Sequence, residues 1–324
     1  MIKKTPLPMA GLILGIFALG NLLASHGDLY RMICGGIGLI LYIIYVAKLF
    51  TDREKLSEEL QNPIVATVFA TFPMATMLLA GYLAPFSQRI AYYLWMFALV
   101  FHGLLIIWFV MSVVIKKDIK TVFPTWFIMF VGIVVASVTG KMFGMEVVAQ
   151  RCFWFGLICY IILIPIVCYR VFVVKNIPEP ALATLVVFTA PGGLLLAGYM
   201  NAFETKNMSI LIPLMIVSAI FYVFALSQLP KIMKLKFYPS ISAITFPTVI
   251  TAIGFKLSNA YFIKTERTIA WFGPVVTAME FAALVCVTFA FVGYVQFLML
   301  NQPQIESNSP KSKKTAKKKN NLTV

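Results

Sequence analysis

Ten apolar runs with few or no charges recur along the chain, at 7–25, 32–47, 63–83, 90–115, 121–140, 152–169, 181–203, 209–230, 237–255 and 269–300. Nearly all reach the length of about 18 residues at which a helix can cross hydrocarbon. Lipid offers no partner to backbone polar groups, so runs of this kind have helices as their solution. Of the 324 residues 60% are apolar and 12% charged, about half the charged share of ~25% found in soluble domains. The expected fold is an all-α polytopic membrane protein: one ten-helix transmembrane domain over 1–300, then a basic, disordered cytoplasmic tail at 301–324. The first run, behind Lys3 and Lys4 and ahead of Ala24-Ser25, imitates a secretory signal. Its likeness to later runs makes it a span.

The net charge of +15 would suit nucleic acid, but six lysines sit in Lys311-Ser-Lys-Lys-Thr-Ala-Lys-Lys-Lys319, where they suit a solvated end near anionic lipid. With the N-terminus inside, 19 of the 27 basic residues fall on the inner side and 8 on the outer. This asymmetry predicts cytoplasmic termini, and the expected location is the plasma membrane as a multi-pass protein. Five cysteines, Cys34, Cys152, Cys159, Cys168 and Cys286, lie in apolar runs without metal or disulfide spacing. Two distant histidines and no nucleophile, phosphate or zinc motif argue against an enzyme, a cofactor or a metal site.

The ninth run is the costliest for a helix that only touches lipid: it holds Ser242, Thr245, Thr248 and Thr251 around Pro247. A proline lacks a donor and clashes one turn back, so the helix is expected to bend. Bent segments are tolerated at membrane depth where they line a cavity or lie buried in protein. Phe246, just before the bend, is either the plug of a pore or an ordinary core aromatic. Every odd-numbered run pairs a proline with a glycine seven or eight residues later: Pro8 and Gly15, Pro73 and Gly81, Pro124 and Gly132, Pro191 and Gly198, Pro247 and Gly254. No even-numbered run does. The repeat predicts five hairpins of one orientation, with the odd helices ringing a central pore and kinked at their prolines, and the even helices facing lipid. Glycines on that ring either keep the lumen open or let helices approach closely.

These motifs resemble the tellurite-resistance/dicarboxylate transporter family, which includes plant slow-type anion channels and yeast malate and sulfite transporters. The likeness spans residues 7 to about 300 and rests on Pro6-Leu-Pro-Met-Ala-Gly11, Phe123-Pro-Thr-Trp126, Ala190-Pro-Gly-Gly-Leu-Leu-Leu-Ala-Gly-Tyr199 and Thr245-Phe-Pro247. It implies five hairpins around a pore, a homotrimer with one pore per subunit, and a pore-occluding phenylalanine that matches Phe246. In the family a second proline often follows the tryptophan of the fifth helix; here Met129 and Phe130 stand in that neighbourhood, which leaves that bend open.

Candidate pore-lining residues are Thr71, Phe72, Thr76, Thr189, Ser242, Thr245, Thr248 and Thr251. About half of these hydroxyls are expected in the lumen, the rest bonded to carbonyls one turn back. The intramembrane ionisable groups are Glu280 and His102. Both are expected to be hydrogen-bonded structural groups, with a proton relay as the alternative for Glu280. The leading expectation is passive or weakly coupled passage of small inorganic or carboxylate anions. A proton-coupled C4-dicarboxylate or sulfite carrier is the first alternative, and a ten-helix metabolite exporter with inverted repeats the second.

Overall fold

The computed structural model describes residues 2–51, 53–116 and 118–299; the tail expected at 301–324 lies outside them. Among the described residues all regular structure is helical. Ten helical spans are long and apolar enough to cross a membrane: Met9–His26, Asp28–Thr51, Pro63–Leu83, Gln88–Lys116, Trp126–Phe143, Glu146–Val174, Glu179–Ala202, Met208–Ile232, Pro239–Lys264 and Phe272–Met299.

Burial divides them by parity. The odd spans are 61% to 89% buried and the even spans 17% to 39%. Even spans turn large apolar side chains outward, among them Ile43, Phe97, Ile107, Ile161, Val223 and Phe281, which suits contact with lipid tails. The first span packs on the third, the third on the fifth, the fifth on the seventh, the seventh on the ninth, and the ninth on the first. Close approach in this circuit depends on small residues. A Cβ on Gly193 would stand 2.5 Å from the Thr251 Cα, and one on Gly15 2.5 Å from the Thr245 Cβ. Either substitution drives adjacent spans apart.

The third, fifth, seventh and ninth spans are broken helices. A 3-10 segment, Glu179–Phe188, leads into the α-helix Thr189–Ala202, and another, Pro239–Ile244, into Thr245–Lys264. The third span joins Pro63–Phe69 to Thr71–Leu83. Pro73, Pro191 and Pro247 are each the third residue of the segment that follows the break. In that first turn a missing N–H costs no α-helical hydrogen bond, so each proline marks where a fresh helix starts. Pro8 caps the first helix, and Pro124 lies two residues ahead of Trp126. The fifth span passes through a 3-10 turn at Gly132–Val134. There the Met129 carbonyl accepts from His102 Nε2 at 3.0 Å, so His102 ties the fourth span to the irregular stretch.

Two apolar runs extend further than their sequence indicates. The ninth span continues to Lys264 and so contains Lys256, and the sixth continues to Val174 and so contains Arg170. Both residues stand one position beyond the apolar runs, which end at 169 and 255. Each charge ends an apolar run without ending its helix, because a partner inside the fold holds it.

Candidate functional site

A narrow void lies within the circuit of odd spans. Its walls come from all five: Gly11 of the first, Val68, Thr71 and Met74 of the third, and Phe127, Ile128, Val131 and Gly132 of the fifth. The seventh gives Thr184, Val187, Ala190, Pro191 and Leu194; the ninth gives Ser240, Ser242, Ala243, Phe246 and Pro247. These positions cluster where the α segments begin, so the breaks and the void occupy the same level.

Phe246 is 5% exposed and borders the void. Among the described residues no aromatic ring packs against it, whereas Phe72 sits in a cluster with Tyr42, Tyr45, Phe69 and Phe101. Of the hydroxyl candidates, Thr71 and Ser242 border the void. Thr76 instead meets the Tyr42 hydroxyl at 2.8 Å and donates to the Phe72 carbonyl. Thr189 and Thr251 meet each other at 3.0 Å between the seventh and ninth spans. Thr245 donates to the Gly11 carbonyl at 3.0 Å, and Thr248 to carbonyls of its own helix. Most of the predicted hydroxyls therefore join helices rather than line space.

Sequence reasoning passed over Gly11, Thr184 and Ser240. Thr184 and Ser240 lie in the 3-10 segments ahead of each proline, whose rotation no helical period reveals. Even the hydroxyls at the void are engaged with backbone oxygens: Thr71 donates to Val68 at 2.7 Å, Thr184 to Ala181 at 2.6 Å, and Ser242 to Pro239 at 3.2 Å. The wall is apolar, and its hydroxyl protons point back into the helices. An anion finds no strong well there, and the hydrogen bonds it would lose with water are replaced poorly.

Three cations cap inner helices at the end of the bundle opposite the N-terminus. Arg31 Nη2 donates to the Gly81 carbonyl at 3.1 Å, its guanidinium 4.6 Å from the Tyr82 ring centre. Lys206 donates to the Met200 carbonyl at 2.9 Å and to that of Phe203. Lys256 reaches the Leu22 carbonyl at 2.9 Å. Each ammonium or guanidinium thus caps the C-terminus of an inner helix, the negative end of its dipole. Burial lowers the Lys206 pKa, and the nearby Lys141 lowers it further against the pull of Glu204. Glu280, away from the void, pairs with Lys256 and lies 2.9 Å from His26 Nε2.

Ten spans, five of them around a narrow apolar void, define a multi-pass helical membrane protein. The family model described as voltage-dependent anion channel matches residues 6–295, and the chain belongs to that family. Among curated proteins none matches it.

Proposed function

We propose that small anions, inorganic or carboxylate, cross this protein through the void between the odd spans, in a channel-like or weakly coupled manner, and that Phe246 closes the path at rest. The observation that carries this reading is a single void walled by all five odd spans, with the unstacked ring of Phe246 in its wall. A bulky ring in an apolar narrowing raises the barrier by excluding both water and ion, the logic of a hydrophobic gate. The absence of strong donors in the wall suits throughput, because weak binding lets an ion leave. The circuit of odd spans supports five hairpins of one orientation over two inverted halves.

In this reading the N-terminus and the basic tail face the cytoplasm, as the excess of Lys and Arg on that side favours, in the plasma membrane. The exposed apolar faces of the even spans meet lipid and neighbouring copies in a homotrimer with one path per subunit. Planar-bilayer or oocyte recording of Phe246→Ala tests the gate. The expected result is an anion conductance raised about tenfold or more, equivalent to lowering the barrier by at least ~1.4 kcal/mol. Unchanged current from correctly inserted protein removes Phe246 from the role.

A further inference from the structure

Arg170 occupies a place that its charge alone does not explain. It lies in the π-helical turn Tyr169–Val174 that ends the sixth span, with only 4% of its surface exposed. Nη1 donates to the Lys175 carbonyl, and the guanidinium carbon stands 5.3 Å from the Phe123 ring centre. Lys175 and Asn176 both have φ of 59°, a region that residues other than glycine seldom occupy. The chain is folded back there so that the carbonyl meets the guanidinium. Among the described residues no carboxylate pairs with Arg170, and its Nε is buried with no hydrogen-bond partner.

A guanidinium fixed at Nη1 still presents the edge formed by Nε and Nη2. That edge carries two parallel N–H donors, the spacing that two oxygens of one oxyanion accept together. A buried cation without a counter-charge is costly, and an oxyanion on this edge supplies both the charge and the missing acceptor. We propose that Arg170 holds an oxyanion group at the N-terminal face of the bundle, a site separate from Phe246. Two sources share this chemistry. Phe123 stands four residues before the void-lining Phe127, which favours a free anion near the mouth of the void. Phe172 and Val173, 47% and 63% exposed, face outward beside Arg170, which favours the phosphate of an anionic lipid.

The test is thermal unfolding of the purified full chain in nanodiscs, titrated with nitrate, inorganic phosphate or chloride. Discs of phosphatidylcholine alone are compared with discs containing phosphatidylglycerol. Stabilisation by nitrate or phosphate but not chloride in phosphatidylcholine, absent in Arg170→Gln, supports the site with a free oxyanion as its occupant. Stabilisation that appears only with phosphatidylglycerol and vanishes in Arg170→Gln supports it with a lipid headgroup. Arg170→Lys keeps the charge but loses the fork, so its affinity should fall by about tenfold or more; this variant carries the test if Arg170→Gln does not fold. Equal effects of chloride and oxyanions, stabilisation undiminished in the variants, or no stabilisation in either lipid overturns the proposal.

Discussion

Thr71-Phe72-Pro73 and Thr245-Phe246-Pro247 are the same sequence in the same place, the opening turn of the α segment that follows a break. Their phenylalanines nonetheless go different ways. In the third span Thr71 and Met74 face the void, while Phe72 packs among four aromatic rings at 5.5 to 6.2 Å. In the ninth span Phe246 and Pro247 face the void, and Thr245 turns to the Gly11 carbonyl. The offset is one residue, a rotation of about 100° in an α-helix. The motif fixes where each helix begins, and the neighbouring helix fixes how it is turned. The second span offers Tyr42 and Tyr45 as a pocket for Phe72; the first span offers the ninth a backbone carbonyl and small residues.

Exchanging the two rings for alanine breaks the comparison most sharply. Phe246→Ala is expected to raise anion conductance as described, with a modest stability loss because its ring borders empty space. Phe72→Ala is expected to leave conductance unchanged and to cost about 3–5 kcal/mol, the range for an aromatic deleted from a packed core. Recording and denaturant unfolding of both variants separate these outcomes; equal conductance changes would dissolve the distinction. The rotation has its own test. Thr71→Phe places a ring in the void from the third span, so adding it to Phe246→Ala should return the current to near the parent level. A current that stays high would mean that residue 71 does not reach the path.

Glu280 sharpens the contrast between inner wall and outer shell. Its partners are Lys256 and His26, and it lies away from the void. Glu280→Gln leaves Lys256 without its counter-charge, with an expected loss of about 1–3 kcal/mol. This is below the ~3–5 kcal/mol of a fully buried pair, because the Lys256 side chain keeps 28% exposure. Passive anion flux should persist in the variant, whereas a proton-coupled carrier using this carboxyl would lose its pH-driven component. Flux into proteoliposomes with and without a pH gradient decides.

The number and approximate bounds of the spans were legible from apolar runs alone, since hydrocarbon imposes length and excludes charge. Parity was legible too, through the proline-glycine pairs. Rotation was not. A buried helix that is apolar on all sides carries no period to orient it, and Thr76, Thr189, Thr248 and Thr251 satisfy their hydroxyls against neighbouring carbonyls or hydroxyls without facing open space. Charges misled in another way. Lys256 and Arg170 fall just past apolar runs that close at 255 and 169, because an isolated cation in lipid is costly. Glu280 lies 24 residues away from Lys256 along the chain, and the carbonyl that holds Arg170 depends on the unusual backbone of Lys175. Neither partner announces itself in a local pattern.

The smallest expected effect tests the rotation of the third span without touching the void. Tyr42 and Thr76 share a hydrogen bond of 2.8 Å between the second and third spans, and Thr76 also donates to the carbonyl of Phe72 one turn back. With the Thr76 proton engaged by that carbonyl, the Tyr42 hydroxyl is the donor across the interface. Tyr42→Phe removes that donor and keeps the ring stacked on Phe72 at 5.6 Å. The expected loss is about 1 kcal/mol, the net worth of one neutral hydrogen bond, with conductance unaltered in both the parent and the Phe246→Ala background. A change in ion selectivity or current would place Thr76 on the path. The third span would then have to turn by roughly one residue, which would bring Phe72 toward the void and make the two tripeptides equivalent after all.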